Sequence, residues 1–381
     1  MTTTTQGCLT ILAVGDVAPN REDPPSLFQH CMAPFVAADI VFGQMEVPLS
    51  DRGAPAFSPH TPLKFPAHNA RALGPQGAGF DVMSFACNHA MDFGNDAFFD
   101  TLDALRANNI EVVGAGANIA AARTPVIVER NGVKVGFLAY LSIISAGLIA
   151  EETIPGCVPL RAHSYYEQVD FNPGTAPLVV THLFTEDKQA MEADIRALRP
   201  LVDVVVVSIH AGVHIAPAII AMYQKEAAYA AIDCGADVVM QHHSHILKGV
   251  EMYKGKAVFY GMNNFAFEFT RMTPHVVRAW DHNCRRLLTE LHRVKVHSGY
   301  PKHRYHFDAL KTILAKIYVF EGRVEKVTFL PAYINPDLEP QVLTRDDPRA
   351  QEVMDYMAAI SEDQNLKVSL AWDGDEVLVT A

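Results

Sequence analysis

The chain has 381 residues, with 31 Lys and Arg against 43 Asp and Glu, for a formal charge of −12. That length can bury the core of one large α/β domain or of two smaller ones. The acidic balance argues against a general nucleic-acid or anionic-membrane binder, which needs a basic footprint, and no apolar run reaches the ~18 residues that suggest a bilayer span.

Residues 1–7 are polar and Thr-rich, without the basic and long apolar regions of a signal peptide, so a cytoplasmic protein is expected. The six cysteines are scattered and form no Cys-x-x-Cys pair, which fits buried thiols in a reducing compartment. Residues 8–14 are almost continuously apolar, as in a central strand covered on both faces, and stop at Gly15-Asp16. Residues 24–38 have helical apolar spacing. Residues 39–42 predict a strand, and Glu46 follows shortly after it. The Pro-, Ser- and Gly-rich stretch 51–66 predicts a loop, and it carries Lys64. Residues 80–85 predict a third strand, followed by Asn88-His89 and Asp92; residues 95–107 then predict an amphipathic helix.

Residues 126–130 and 133–141, joined by Asn131-Gly132, predict a β-hairpin. The Gly-, Pro- and Ser-containing stretch 142–177 has no clear period and predicts a long surface excursion. A helix is predicted over 186–198. The strongest buried-strand pattern, 202–209, runs directly into His210. A helix is predicted over 217–234, with Pro in its first turn. The short run Val238-Val239-Met240 precedes His242, His243 and His245. Alternation in an extended segment would turn His243 and His245 to one side and His242 to the other. Further hairpins are predicted around Lys254-Gly255 and Glu321-Gly322, and a last helix over 348–360. Residues 270–310 are basic and His-rich. Their Arg and His residues would give an acidic chain a local positive surface for an anionic group.

Five predicted strands therefore end in ligand-type residues: Asp16, Glu46, Asn88 with His89, His210, and His243 with His245. Residues gathered from the C-terminal ends of several strands make a site at the edge of an open α/β sheet. Carboxylates, an amide oxygen and imidazoles together suit Mn²⁺, Zn²⁺ or Fe²⁺ better than Ca²⁺.

In their order, Gly15-Asp16, Met45-Glu46, Asn88-His89 through Gly94, Ser208-Ile209-His210, Gly235-Ala236-Asp237, His243-Ser244-His245 and Asn264-Phe265 resemble the CapA-type family of capsule and poly-γ-glutamate synthesis. That family has the calcineurin-like metallophosphoesterase fold. The resemblance implies an α-β-β-α sandwich of two mixed sheets flanked by helices. Its catalytic core would span residues 1–270, with the basic insertion at 271–312 and residues 313–381 completing the same domain. The resemblance also implies one or two divalent ions held by Asp16, Glu46, Asn88, His210, His243 and His245, with Glu46 bridging. His89 would transfer a proton, and Asp92 would orient its ring. Lys64, His214, His242 and Asn264 are the candidates for contacting substrate.

The chain departs from the phosphoesterase pattern at Ala18, where a ligand histidine is usual. It also has Asn263 where the family usually has Gly, and His214 where an acidic residue often stands. These readings together predict a metal-dependent hydrolase acting on an anionic carboxylate, amide, lactone or peptide. The alternatives are a peptide epimerase of a natural-product pathway, a non-enzymatic accessory of polymer assembly, and a phosphoesterase. A small-molecule or peptide partner is expected, with no nucleic acid and no membrane, and a homo-oligomer is left open.

Overall fold

The structure is a computed structural model that describes residues 8–56, 62–170, 174, 176–269, 299–303 and 305–381. Two mixed β-sheets pack face to face between helices, the sandwich expected from the sequence. In the first sheet the apolar strand Cys8–Ala18 is central. It pairs in parallel with Ile40–Met45, and Val82–Ser84 and Glu111–Val113 follow outward. On its other side Lys311–Phe320 pairs antiparallel with it, so the C-terminal part of the chain is hydrogen-bonded to the first strand. Arg323–Ile334 and then Glu376–Thr380 extend that side.

The second sheet holds four mutually parallel strands: Val133–Leu141, Val204–His210, Val238–His242 and Lys256–Phe259. Antiparallel hairpin strands, Val126–Arg130 and Val250–Tyr253, close its two edges. Side chains alternate across a strand, and the valine run shows the consequence. Val204 and Val206 face the inter-sheet core. Val205, Val207 and Ile209 face the outer layer, where they pack with Met191 and Ile195 of the Thr185–Leu198 helix and with Ala227 and Ala231 of the Met222–Asp233 helix. The predicted hairpin turns take the left-handed backbone that Asn and Gly accept most readily, with φ 54° at Asn131 and 77° at Gly132.

Three expectations need correction. The stretch 142–177 is not wholly irregular: Ala162–Glu167 is a strand paired antiparallel with Leu178–Leu183. Its outward-facing residues, such as Tyr166, do not show the apolar alternation of a covered strand. The helix predicted from 217 begins at Met222, because Ile215 and Ala218 adopt φ of 62° and 59°, outside the helical region. The helix predicted over 24–38 divides into a 3₁₀ turn, Pro24–Phe28, and a short helix, Met32–Ala37. Most of the basic stretch lies outside the described residues. No helix among the described residues is long and apolar enough to cross a membrane.

The sheets meet through aromatic packing. Phe42 and Phe137, one from each sheet, stack with ring centroids 5.5 Å apart and planes 6° from parallel. Phe137 is fully buried. Phe137→Ala should therefore cost about 3–5 kcal/mol of unfolding free energy, and Phe137→Leu distinctly less. Urea unfolding at unchanged m-value checks both; equal losses would remove the ring stack as the reason.

Candidate metal centre

The two sheets place their strand ends at one buried point. The first sheet brings Asp16, Glu46, Asn88 and Asn264. The second brings His210, His242, His243 and His245. Asp16 sits inside the first strand at a break in pairing: the register shifts between Ala13 and Asp16 against one neighbour and between Asp16 and Val17 against another. Such irregularities redirect a side chain. Gly15 is required there, since a Cβ would lie 2.0 Å from the carbonyl oxygen of Asn263. The Asp16 amide donates to that same oxygen at 2.9 Å. Asn263 itself has φ 62°, a conformation in which Asn can replace Gly. Its side chain donates to the carbonyls of Ala309 and Lys311, joining the site to the C-terminal strands.

Single ligand atoms of Asp16, Glu46 and His210 all lie within 4.8 Å of one another, and all three residues are fully buried. Glu46 lies between two groups of donors. On one side Asn88 Oδ1 is 2.7 Å from His210 Nε2 and 3.2 Å from His243 Nδ1. Glu46 Oε2 is 3.8 Å from His210 Nδ1. On the other side His245 Nε2 is 3.7 Å from Glu46 Oε1, and His245 Nδ1 is 3.6 Å from Asp16 Oδ2. His245 Nδ1–H donates to Asn264 Oδ1 at 2.6 Å, which fixes the ring and turns Nε2 toward Glu46.

These atoms are not satisfied by the protein. Asp16 Oδ1, both Glu46 oxygens and His210 Nδ1 are buried without a hydrogen-bond partner. Buried polar groups are normally paired, and buried charges are paired or coordinate a metal. Two donors around one ion with bonds of ~2.1 Å stand roughly 3–3.5 Å apart. The separations of Glu46 from His210 and His245, 3.8 and 3.7 Å, and of Asp16 from His245, 3.6 Å, approach that spacing and exceed a hydrogen bond, so the residues present fit a divalent cation. Burial and the carboxylates of Asp16 and Asp92 push the Glu46 carboxyl well above its ordinary range. Burial and neighbouring imidazoles push His210 and His243 well below theirs, so both are held in the neutral, ligating form.

His89 lies beside this cluster and, when charged, opposes the charging of His210, His243 and His245. Its Nδ1–H donates to Asp92 Oδ2 at 2.5 Å, and Asp92 also accepts the Leu63 amide at 2.7 Å. His214 is exposed at the mouth, stacked on His243 at 5.3 Å and edge-on to His245 at 5.0 Å. Lys64 is not brought to the cluster: its ammonium donates to the Arg52 carbonyl and lies 4.7 Å from the Phe93 ring centroid.

His242 departs from expectation twice. It is fully buried, so it has no surface to offer a substrate, and its Nδ1 is 3.4 Å from Asp16 Oδ1. The alternation argument fails because the strand ends at His242 and the chain then turns through φ 82° at His243 and 48° at His245. Sequence reasoning missed Tyr305, whose ring stacks on His245 at 4.9 Å. No motif marks it, and it stands sixty residues beyond the histidine it covers. Lys248 was also missed. It is fully buried, donates to the Ala216 carbonyl in the loop that carries His214, and has an ammonium pushed down to about 7 by burial.

The strand ends of a two-sheet α/β sandwich thus converge on buried carboxylates, an amide and imidazoles. The family described as bacterial capsule synthesis protein PGA_cap matches residues 10–268, and the chain belongs to that family. It is 26% identical over 245 residues to the PGA biosynthesis protein CapA of Bacillus subtilis, covering 64% of this chain and 57% of that one. It is 27% identical over 275 residues to the capsule biosynthesis protein CapA of Bacillus anthracis, covering 68% and 60%. A probable polyglutamine synthesis accessory protein of Mycobacterium tuberculosis is 26% identical over 247 residues, covering 63% and 58%. The matches thus span under two thirds of the length of these relatives. Among solved structures, the calcineurin-like phosphoesterase YfkN of Bacillus subtilis aligns with a TM-score of 0.39 at 12% identity, covering 94% of this chain and 98% of that one. That score is too low to carry its chemistry to this chain.

The raised Glu46 sets a pH test. A carboxyl whose folded pKa is raised keeps a proton that the unfolded chain releases, so its contribution to metal-free stability is lost as pH rises through the folded value. A bound cation displaces that proton. The gap in melting temperature between Zn²⁺-loaded and chelator-treated protein should therefore widen from pH 5 to pH 8. A gap independent of pH would show that Glu46 takes no part.

Proposed function

We propose that this protein is a metal-dependent hydrolase that cleaves an amide bond in an anionic, glutamate-rich peptide. The observation that carries the reading is the pairing of a buried, unsatisfied carboxylate–imidazole cluster with a hydrogen-bonded His89–Asp92 dyad beside it. The names of the relatives support an anionic polymer as the substrate class, since PGA biosynthesis and capsule biosynthesis are named for them.

A bound divalent cation would supply Lewis acidity and lower the pKa of a water towards ~7. The residues of the chain do the rest. Asp16, Glu46, Asn88, His210, His243 and His245 would hold the ion. With Nδ1 committed to Asp92, His89 exchanges its proton through Nε2, giving it to the departing amine. Asp92, itself held by the Leu63 amide, keeps that ring in one tautomer and orientation. His214, exposed and stacked on His243, would meet a substrate carboxylate. A second reading, a non-catalytic accessory that binds the polymer, is favoured by the name of the mycobacterial relative.

The test is incubation of Mn²⁺- or Zn²⁺-loaded protein with α- and γ-linked glutamate oligomers, simple amides, lactones and phosphomonoesters, read by mass spectrometry. Shorter oligomers are the expected products. Phosphate release with intact amides would make it a phosphoesterase. Unchanged chains carrying solvent deuterium at an α-carbon would make it an epimerase, and binding without turnover would leave the accessory role.

His89→Ala should lower turnover about 10²- to 10⁴-fold while metal content and melting temperature hold. His89→Gln should not restore activity, because an amide cannot relay the proton. Asp92→Asn should cost less. A metal-loaded, stable and fully active His89→Ala protein would remove His89 from the reaction.

A further inference from the structure

The two sides of Glu46 are unequally furnished. One side has Asn88, His210 and His243. The other has His245, whose Nε2 is 3.7 Å from Glu46 Oε1, and Asp16, which also has an oxygen within 4.8 Å of ligand atoms of Glu46 and His210, while Ala18, two residues along the same strand, offers only a methyl group. An ion of the Zn²⁺ or Mn²⁺ kind takes at least four donors, most of them from protein where the site is closed to solvent. Asp16, Glu46 and His245 leave that side short.

His242 is the unused donor. It is fully buried, and neither ring nitrogen has a hydrogen-bond partner. The nearest carboxylate oxygen, Asp16 Oδ1, is itself buried without a partner and lies 3.4 Å from His242 Nδ1. That separation is what two donors sharing one ion with bonds of ~2.1 Å would show. The backbone of His242 is held in the ladder opposite His210, and its ring lies against Phe42 at 6.4 Å, so the imidazole is placed by the core of the sandwich. A histidine buried only for packing would be expected to pair at least one nitrogen, since an unpaired buried polar atom is costly.

We propose that His242 supplies a nitrogen ligand to an ion on the Asp16 side of the centre, completing a set that Ala18 cannot complete. The proposal rests on the metal-centre reading above and adds a second ion, with Glu46 between the two. It also gives a reason for three histidines within four positions: His243 serves the Asn88 side, and His242 and His245 serve the Asp16 side.

Zn²⁺ titration of the full chain against a chromophoric chelator, with melting curves of the metal-free and loaded forms, tests this. Wild type should take two equivalents. His242→Gln should keep one at wild-type affinity and bind the second at least ~tenfold more weakly, with the metal-free melting temperature unchanged. In wild-type protein labelled with ¹⁵N-histidine, Zn²⁺ should shift ring nitrogens of His242 along with those of His210, His243 and His245, a readout that does not depend on any variant folding. Equal Zn²⁺ binding in wild type and His242→Gln, or an unshifted His242 ring, would overturn the proposal. So would an equal fall in melting temperature with and without Zn²⁺, which marks a packing role. Wild-type protein that takes up no Zn²⁺ would instead overturn the metal-centre reading itself.

Discussion

Two carboxylates, Asp16 and Glu46, are fully buried within reach of one another, and three of their four oxygens lack a hydrogen-bond partner. Buried negative charge is tolerated only when something positive neutralises it. The chain places no lysine or arginine there among the described contacts of these two side chains. It places imidazoles, and their burial beside one another keeps His210 and His243 neutral. Burial beside Asp16 holds the Glu46 carboxyl well above its ordinary range, so it keeps its proton, and the unpartnered donors around it fit a divalent cation.

The architecture exists around that constraint. Neither sheet could build the centre alone, because the carboxylates and amides come from the first and the imidazoles from the second. Aromatic packing between Phe42 and Phe137 sets the two sheets against each other near the site. Local backbone exceptions then direct the donors. Gly15 lets the Asn263 carbonyl approach the first strand, and the left-handed residues His243 and His245 turn the chain sharply after its buried strand. A non-glycine residue held in that region costs stability, and such strain collects at functional sites.

The mouth is built differently from the floor. His214 is exposed, and its loop is held from below by the buried Lys248. The buried His89–Asp92 pair lies beside the cluster, anchored by the Leu63 amide. Tyr305 covers His245 from the C-terminal side, so the part of the chain beyond the family match also reaches the site.

The sequence by itself determined most of the strands and most of the residues that meet in the buried cluster. The valine run before His210 and the apolar run before Asp16 announce buried strands, and paired Asn-Gly or Lys-Gly positions announce hairpins, because these signals depend on neighbours a few residues apart. Asp16, Glu46, Asn88, His210, His243 and His245 were readable as a set because each lies at or near a strand end. Only the tertiary structure decided which donors share a side of Glu46, that Lys64 lies away from the cluster, and that His242 faces Asp16. It also paired Ala162–Glu167 with Leu178–Leu183 and brought Tyr305 onto His245. The physical reason is the same in each case. Strand alternation predicts direction only while the backbone stays extended, and contacts between sheets are set by packing across distances along the chain that no local pattern records.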